Sequence, residues 1–240
     1  MTRSDKTKND PTPEPASAST PRERSNDKIS LESLSRRKVS RTRWLRAVKR
    51  LRHLASTVND LRRDNEALRR LAYQDALTGL INRRGFDEHL GLALEDFAER
   101  DRGLAVILLD VDELKHINDT RGHAAGDSAL RIVADSLRRA VRLGDYVARL
   151  GGDEFAVLLP RTDEARAKGV AERVLATLRQ ASSLARHDVT VSAGVAEVRR
   201  DDPAQDRADL LLKRADVALY AAKNAGRDCV DSATVCACNR

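Results

Sequence analysis

Two stretches of the chain place carboxylates beside residues that suit phosphate chemistry. Asp110 ends the apolar run AVILLD, and Asp153 and Glu154 follow Gly151 and Gly152 in RLGGDEFAVLLP. Clustered carboxylate oxygens without histidine or cysteine favour Mg²⁺ or Mn²⁺. The two glycines remove side chains where a phosphate would approach the backbone. If the two stretches are neighbours in one sheet, the pattern predicts metal-assisted phosphoryl or nucleotidyl transfer.

The acidic turn also has a purely structural interpretation. A type I′ hairpin turn with solvated acids would place the same glycines and carboxylates between two strands. The turn alone leaves both interpretations open.

The elements that must position these residues alternate between helices and strands. Apolar runs predict strands over 103–112 and 188–198, and a hairpin over 145–160 with the acidic turn at its tip. Helices are predicted over 126–142, 163–180 and 207–226, the last with a glycine stop. The central order β-α-β-β-α-β predicts an α/β (α+β) fold of the ferredoxin-like type, with a central antiparallel sheet and flanking helices.

At five separated places the chain resembles the GGDEF family, the diguanylate cyclases. The matching stretches, in order over about residues 75–232, are DALTGLINRR, DVDELKHINDTRGHAAGD, RLGGDEF, TVSAGVA and LLKRADVALYAAKNAGRD. The resemblance implies a palm-type domain that condenses two GTP molecules into cyclic di-GMP with release of two pyrophosphates. The alternatives are another palm-type nucleotide cyclase or polymerase, and a non-catalytic module that binds GTP or cyclic di-GMP.

The resemblance also implies the catalytic residues. Asp110 and Asp153, with the carbonyl of Val111, would hold two Mg²⁺ or Mn²⁺ ions per active site. Asp153 would help to deprotonate the attacking 3′-hydroxyl, and Glu154 would support the metal site. Lys115 would stabilise charge on the phosphates during transfer.

For the nucleotide, the resemblance implies that Asn118 and Asp127 read guanine, with His123 lining the same pocket. A carboxylate can accept from guanine N1–H and the exocyclic amine together, a pair of donors that adenine lacks, so such a site should reject ATP. Lys223 and Arg227 would bind the distal phosphates. Their spacing of four residues predicts that they share one face of a helix.

A second ligand site is implied by the quartet RLGD, which corresponds to the R-x-x-D inhibitory site of the family. Arg142 and Asp145 would bind the product cyclic di-GMP, and Arg173 on the following helix aligns with the second arginine of that site. The resemblance therefore implies feedback inhibition by the product.

Apolar residues before the domain repeat in alternating steps of three and four, from Trp44 to Ala72. This heptad pattern predicts a parallel dimeric coiled coil, in which Asn65 at an a position sets the register and Asp64 lies near Arg69 of the partner subunit. The alternative is a single helix packed on its own domain. A homodimer suits the implied reaction, because each subunit would hold one GTP.

Positive charge is concentrated before the domain, since residues 1–74 hold 19 Lys/Arg against 9 Asp/Glu. Residues 36–52 contain nine Lys/Arg and no acid, so this segment could instead bind an anionic surface. We expect no nucleic-acid binding by base stacking, because only Trp44 is aromatic there.

The remaining segments complete the expected organisation. Residues 1–28 predict a disordered leader, 29–74 the basic amphipathic helix, 75–232 the cyclase domain and 233–240 a flexible tail. The cysteines, Cys229, Cys236 and Cys238, lack the spacing of a zinc site. The sequence contains no apolar run long enough to span a membrane and no signal peptide, so we expect a cytoplasmic protein.

Overall fold

The computed structural model describes residues 41–100, 102–185 and 188–233. The predicted leader 1–28, the following residues 29–40 and the tail from 234 onwards lie outside the described residues. The chain divides into two units, one ending at Val58 and the other beginning at Asn59, and one long helix belongs to both. Among the described residues, no helix is both long enough and apolar enough to cross a bilayer.

Six helices and six strands are described, besides a short 3₁₀ turn. The helices are α1 (Arg41–Tyr73), α2 (Arg83–Arg100), α3 (Leu114–Arg121), α4 (His123–Ala140), α5 (Glu164–Ala185) and α6 (Arg207–Asn224). The strands are β1 (Ile81–Asn82), β2 (Leu104–Val111), β3 (Tyr146–Arg149), β4 (Glu154–Pro160), β5 (Val191–Glu197) and β6 (Val230–Ser232).

The strands form one mixed sheet in the order β1-β3-β4-β2-β5-β6. Strand β2 is central and pairs antiparallel with β4 on one side and β5 on the other, whereas the short edge strands β1 and β6 pair parallel with their neighbours. The predicted ferredoxin-like arrangement is confirmed. The prediction missed α3, whose eight residues carry no long apolar period.

Helices cover both faces of the sheet, which explains why β2 is apolar from Leu104 to Leu109. Ile107 and Leu109 pack with α4 and α5, whereas Leu104 and Val106 pack with α2 and α6. A strand buried on both faces has no reason to alternate polar and apolar residues. On the second face, Gly194 lets the backbone of α6 lie directly against β5.

Candidate active site

The predicted carboxylates meet at one end of the two central strands, where β2 ends and β4 begins. Asp110 and Glu154 are cross-strand partners, and the Val111 N–H donates to the carbonyl of Asp153 at 3.0 Å. The antiparallel pairing therefore fixes Asp110 beside the acidic turn, as the sequence predicted.

The turn between β3 and β4 is wider than a type I′ hairpin. Four residues separate Arg149 from Glu154, and the Leu150 N–H donates to the Glu154 carbonyl at 2.8 Å. Neither Gly151 nor Gly152 has a positive φ, which a type I′ turn requires. A Cβ on Gly152 would meet no atom within 4 Å. The type I′ interpretation is wrong, and the backbone at Gly152 is open to a ligand.

Several opposing effects act on the pKa of the Asp110 carboxyl. Burial raises the pKa of its carboxyl, the Lys223 ammonium at 2.9 Å lowers it, and the charges of Asp153 and Asp112 raise it. The net direction is upward. A carboxylate that is largely withdrawn from water and faces two like charges gains from any cation that approaches it.

The donor set fits a hard divalent cation. Asp110 and Asp153 offer carboxylate oxygens at one edge, and the Lys223 ammonium at Asp110 shows that positive charge is accommodated there. Within residues 41–100, 102–185 and 188–233, no three His, Cys, Asp or Glu side chains converge to hold a metal by themselves. Mg²⁺ is commonly held by one or two carboxylates together with substrate phosphates, and this site offers that kind of set.

The predicted guanine-reading residues line a cavity of about 390 Å³ beside the turn. Helix α3 contributes Lys115 and Asn118, and α4 contributes His123 and Asp127. The cavity also reaches the turn residues, and its apolar lining comes from the helices, through Leu114 and Leu130. An apolar slot with a few converging polar groups suits a planar base.

The description of the family model that matches residues 72–229 is "Diguanylate cyclase, GGDEF domain". The chain belongs to the GGDEF family. It is 39% identical over 168 residues to the bifunctional diguanylate cyclase/cyclic di-GMP phosphodiesterase MucR of Pseudomonas aeruginosa, covering 70% of this chain and 24% of that protein. It is also 39% identical over 179 residues to the diguanylate cyclase DgcM of Escherichia coli, covering 71% of this chain and 41% of that protein.

A further relative of similar identity is named as a phosphodiesterase. The cyclic di-GMP phosphodiesterase NbdA of Pseudomonas aeruginosa is 38% identical over 173 residues, covering 71% of this chain and 22% of that protein. In these three relatives the match spans less than half of their length. Among solved structures, the coiled coil and GGDEF domain of DgcB from Caulobacter crescentus in complex with c-di-GMP matches with a TM-score of 0.66 and 31% identity, covering 78% of this chain and 98% of that chain.

Arg149 and Asp75, which were not predicted as site residues, hold the GGDEF turn in place through side-chain hydrogen bonds. Arg149 donates from Nη1 to both carboxylate oxygens of Asp75, and from Nε and Nη2 to the Gly152 carbonyl at 3.3 and 2.7 Å. Asp75 also accepts from the amide and hydroxyl of Thr78. A local sequence signal existed only for the Asp75–Thr78 turn, because Asp side chains favour hydrogen bonds to groups a few residues further on; no local signal marked the contact with Arg149.

A second unassigned residue, Asp112, organises the end of the sheet. It is buried and accepts from Thr190 Oγ1 at 2.8 Å, Ser192 Oγ at 2.7 Å and the amide of Asp228 at 3.2 Å. These donors join β5 and the segment after α6 to the end of β2. Asp112 therefore fixes the backbone that carries Arg227.

One predicted relationship in this GGDEF domain is wrong. Lys223 and Arg227 do not share a helix face, because α6 ends at Asn224, as the predicted glycine stop required. Gly226 takes a φ of 116° and the Arg227 N–H donates back to the Ala222 carbonyl at 3.3 Å, which is a Schellman helix end. Lys223 contacts Asp110, whereas Arg227 lines another cavity of about 450 Å³.

Two of the three predicted inhibitory residues lie at a cavity of about 530 Å³ between α2 and the β3–β4 hairpin. Arg142 and Asp145 line it and pair at 3.2 Å, and Arg142 also donates to the Pro160 carbonyl at 3.0 Å. Arg173, the third predicted residue, is not among the residues that line this cavity, and it donates from Nε to the Ala140 carbonyl at 2.8 Å. Arg142 and Asp145 are thus already paired without a ligand, and Arg173 contacts the last residue of α4.

Proposed function

We propose that this chain is a diguanylate cyclase that condenses two GTP molecules into cyclic di-GMP with release of two pyrophosphates. The observation that carries the proposal is the convergence of Asp110 and Asp153 with a base-sized cavity lined by Asn118, His123 and Asp127. One side of the domain thus offers groups for the metal, the phosphates and the base together.

The base and the phosphates are bound by different groups. Asp127 and Asn118 bind the Watson–Crick or sugar edge of guanine, and the carboxylate accepts from N1–H and the amine. Lys115 on α3 lines this cavity together with the turn residues Gly152 and Asp153, and its charge stabilises the phosphates as negative charge redistributes. Lys223 and Arg227 approach the distal phosphates from two sides, Arg227 from the loop that Asp112 holds.

The chemical step is a displacement at phosphorus performed twice. Each 3′-oxygen forms a bond to the α-phosphorus of the opposite GTP, the bond to the β-phosphate oxygen breaks, and pyrophosphate leaves. Asp153 holds the 3′-hydroxyl and accepts its proton, and Glu154 supports the charge at this edge. Two Mg²⁺ or Mn²⁺ ions, held by Asp110, Asp153 and the Val111 carbonyl, would neutralise the triphosphate and ease deprotonation of the hydroxyl when bound.

We further propose that the active form is a homodimer joined through α1. Leu61 and Leu68 of the predicted seam, which belong to the same unit as the domain, are 63% and 64% exposed in the single chain. A helix packed on its own domain would bury such residues, so their exposure favours a partner helix. Two domains held in register raise the effective concentration of one GTP toward the other.

Product inhibition is the regulatory part of the proposal. At the cavity between α2 and the hairpin, the exposed Arg142 guanidinium is available to a guanine base or a phosphate, and the buried Asp145 carboxylate holds it in place by accepting from the Arg142 amide and Nε. We assign cyclic di-GMP as its ligand. Because GTP is a cytoplasmic nucleotide, we place the reaction in the cytoplasm.

The direct test is to incubate the purified chain with GTP and Mg²⁺ and to separate the products by chromatography. Asp153→Ala removes the proposed base and metal ligand, and Asp135→Ala on the exposed face of α4 is the matched control. Cyclic di-GMP from the wild type and the control, but not from Asp153→Ala, supports the cyclase. Absence of product after bound nucleotide is stripped and a cyclic di-GMP trap is added, with GTP or cyclic di-GMP still binding, would favour the non-catalytic receptor instead.

A further inference from the structure

The beginning of α1 carries positive charge without any compensating acid. Residues 41–58, here called the basic segment, contain six Lys/Arg and no Asp or Glu. The rest of the same helix, residues 59–73, contains four Lys/Arg and three Asp/Glu. The imbalance is therefore confined to one end of a helix that is otherwise nearly neutral.

Three of the six basic residues of the basic segment lie away from the predicted dimer seam, and the other three, Arg41, Arg43 and Arg50, occupy the e and g positions that flank it. In the heptad that places Leu51 at a and Leu54 at d, Arg46, Lys49 and Arg52 occupy c, f and b, the outward positions. All three side chains are exposed. Dimerisation through the seam would leave these charges facing outward in both copies, so the seam and the basic surface do not compete.

Apolar side chains lie among these charges. Leu45 occupies an outward b position and is 52% exposed, whereas the neighbouring Trp44, which is 59% exposed in the single chain, occupies an a position of the seam. A lipid headgroup layer accommodates cationic and apolar side chains such as Leu45 together. The phosphate backbone of a nucleic acid would pair with the arginines but offers no partner for Leu45.

We propose that the basic segment binds membrane surfaces rich in anionic phospholipid. The contact is peripheral, made by charges that face the headgroups, and it requires neither the cyclase reaction nor a spanning helix. It would bring this end of α1 to the bilayer surface. None of the residues proposed to bind nucleotide takes part in the contact. Each basic side chain close to an anionic surface strengthens binding about five-fold, and salt weakens the effect.

The test uses the full chain with vesicles of phosphatidylcholine alone or of phosphatidylcholine and phosphatidylserine in equal parts. Sedimentation measures binding, and Trp44, the single tryptophan, reports contact of the basic segment through energy transfer to dansyl-labelled headgroups. The variant is Arg46→Gln, Lys49→Gln and Arg52→Gln together, because glutamine keeps a high helix propensity. The control has the same change in charge on exposed residues of the domain: Arg131→Gln, Arg139→Gln and Lys213→Gln.

We expect the wild type and the control to bind the phosphatidylserine vesicles with energy transfer from Trp44. The basic-segment variant should bind about 100-fold more weakly, the product of three such charge contributions. Equal binding of variant and control would overturn the proposal, as would binding to phosphatidylcholine alone at the same strength. Sedimentation without energy transfer would assign the contact to another surface, and tighter binding to duplex DNA than to the vesicles at one salt concentration would make a nucleic acid the partner.

Discussion

Arg149 Nη1 lies 3.1 and 3.2 Å from the two carboxylate oxygens of Asp75. The same guanidinium holds the Gly152 carbonyl from its other edge. Asp75 lies two residues after the end of α1, and Gly152 belongs to the GGDEF turn. One arginine therefore joins the start of the domain to the turn that would hold metal and phosphate, and the orientation of the turn depends on that junction.

Replacing Asp75 by Asn should loosen the turn and weaken the fold together. Burial alone would raise the pKa of Asp75, but hydrogen bonds from Thr78 and then Arg149 outweigh it, and the pKa is lowered from 3.8. A lowered pKa stabilises the fold above the unfolded value, and this stability is lost as the pH falls through the folded pKa. We expect a loss of about 2 kcal/mol at neutral pH that shrinks below pH 3.8, together with reduced cyclase activity.

Urea titrations at neutral and acidic pH, with initial rates on GTP, measure both effects. Asp135→Asn is the control, because it breaks the exposed Arg138–Asp135 pair with the same change in charge. A neutral-pH stability and activity of Asp75→Asn equal to those of the control would contradict the role of this contact.

Gly126→Ala should impair guanine binding although alanine favours helices. Gly126 lies in α4, and a Cβ there would collide with Oδ1 of Asn118. Displacing Asn118 should raise KM for GTP about 10-fold, the equivalent of one hydrogen bond to the base. Gly169→Ala in α5 has open space around its Cβ and should stabilise the protein by up to about 1 kcal/mol. The idea fails if the two variants have the same KM.

Lys223→Met should move the acidic limb of the pH–activity profile to higher pH. The Lys223 ammonium opposes the burial that raises the pKa of Asp110. Without it the pKa rises further, so a higher pH is needed to ionise Asp110 for cation binding. We also expect the maximal rate to fall about 100-fold. Lys213→Met, an exposed residue of the same helix, should leave the profile in place, and a Lys223→Met profile with an unmoved limb would exclude this linkage.

Arg142→Ala should relieve product inhibition without abolishing synthesis. Because the pair with Asp145 would be lost, the cyclic di-GMP concentration for half-inhibition should rise on the order of 10-fold. Initial rates before product accumulates should stay close to wild type. Arg166→Ala, which breaks an exposed ion pair on α5, serves as the control. An unchanged inhibition curve, with the urea midpoint showing a folded protein, would remove the assignment.

Leu61→Glu should make the specific cyclase activity fall steeply when the protein is diluted. Leu61 occupies a d position of the seam, where a carboxylate would face its own copy in the dimer. Leu45→Glu introduces the same group at an outward position and should leave the dilution curve as in the wild type. Activity assays over a dilution series, with sedimentation to measure mass, check this. Equal behaviour of the two variants would count against α1 as the dimer contact.

Local sequence patterns determined the order of the elements and the edge at which the chemistry lies. Apolar runs of strand length marked β2 and β4. Asp110 ends the apolar run of β2 and Glu154 begins β4, so antiparallel pairing of the two strands makes them cross-strand partners. The resemblance to the GGDEF motifs likewise grouped Asn118, His123 and Asp127, which line one cavity beside the turn. Such features depend on neighbours within a few positions, so periodicity and motif spacing can reveal them.

The tertiary structure alone decided the contacts that make these residues a site. Arg149 meets Asp75 across 74 positions, and Asp112 gathers donors from as far as 116 positions away. Such contacts arise only when the layers of the domain pack, because no local period connects residues so distant in the chain. Arg227 shows the same limit at short range: three consecutive positive φ values, at Gly226, Arg227 and Asp228, turn it out of the helix, so that it lines a different cavity from the one beside Lys115.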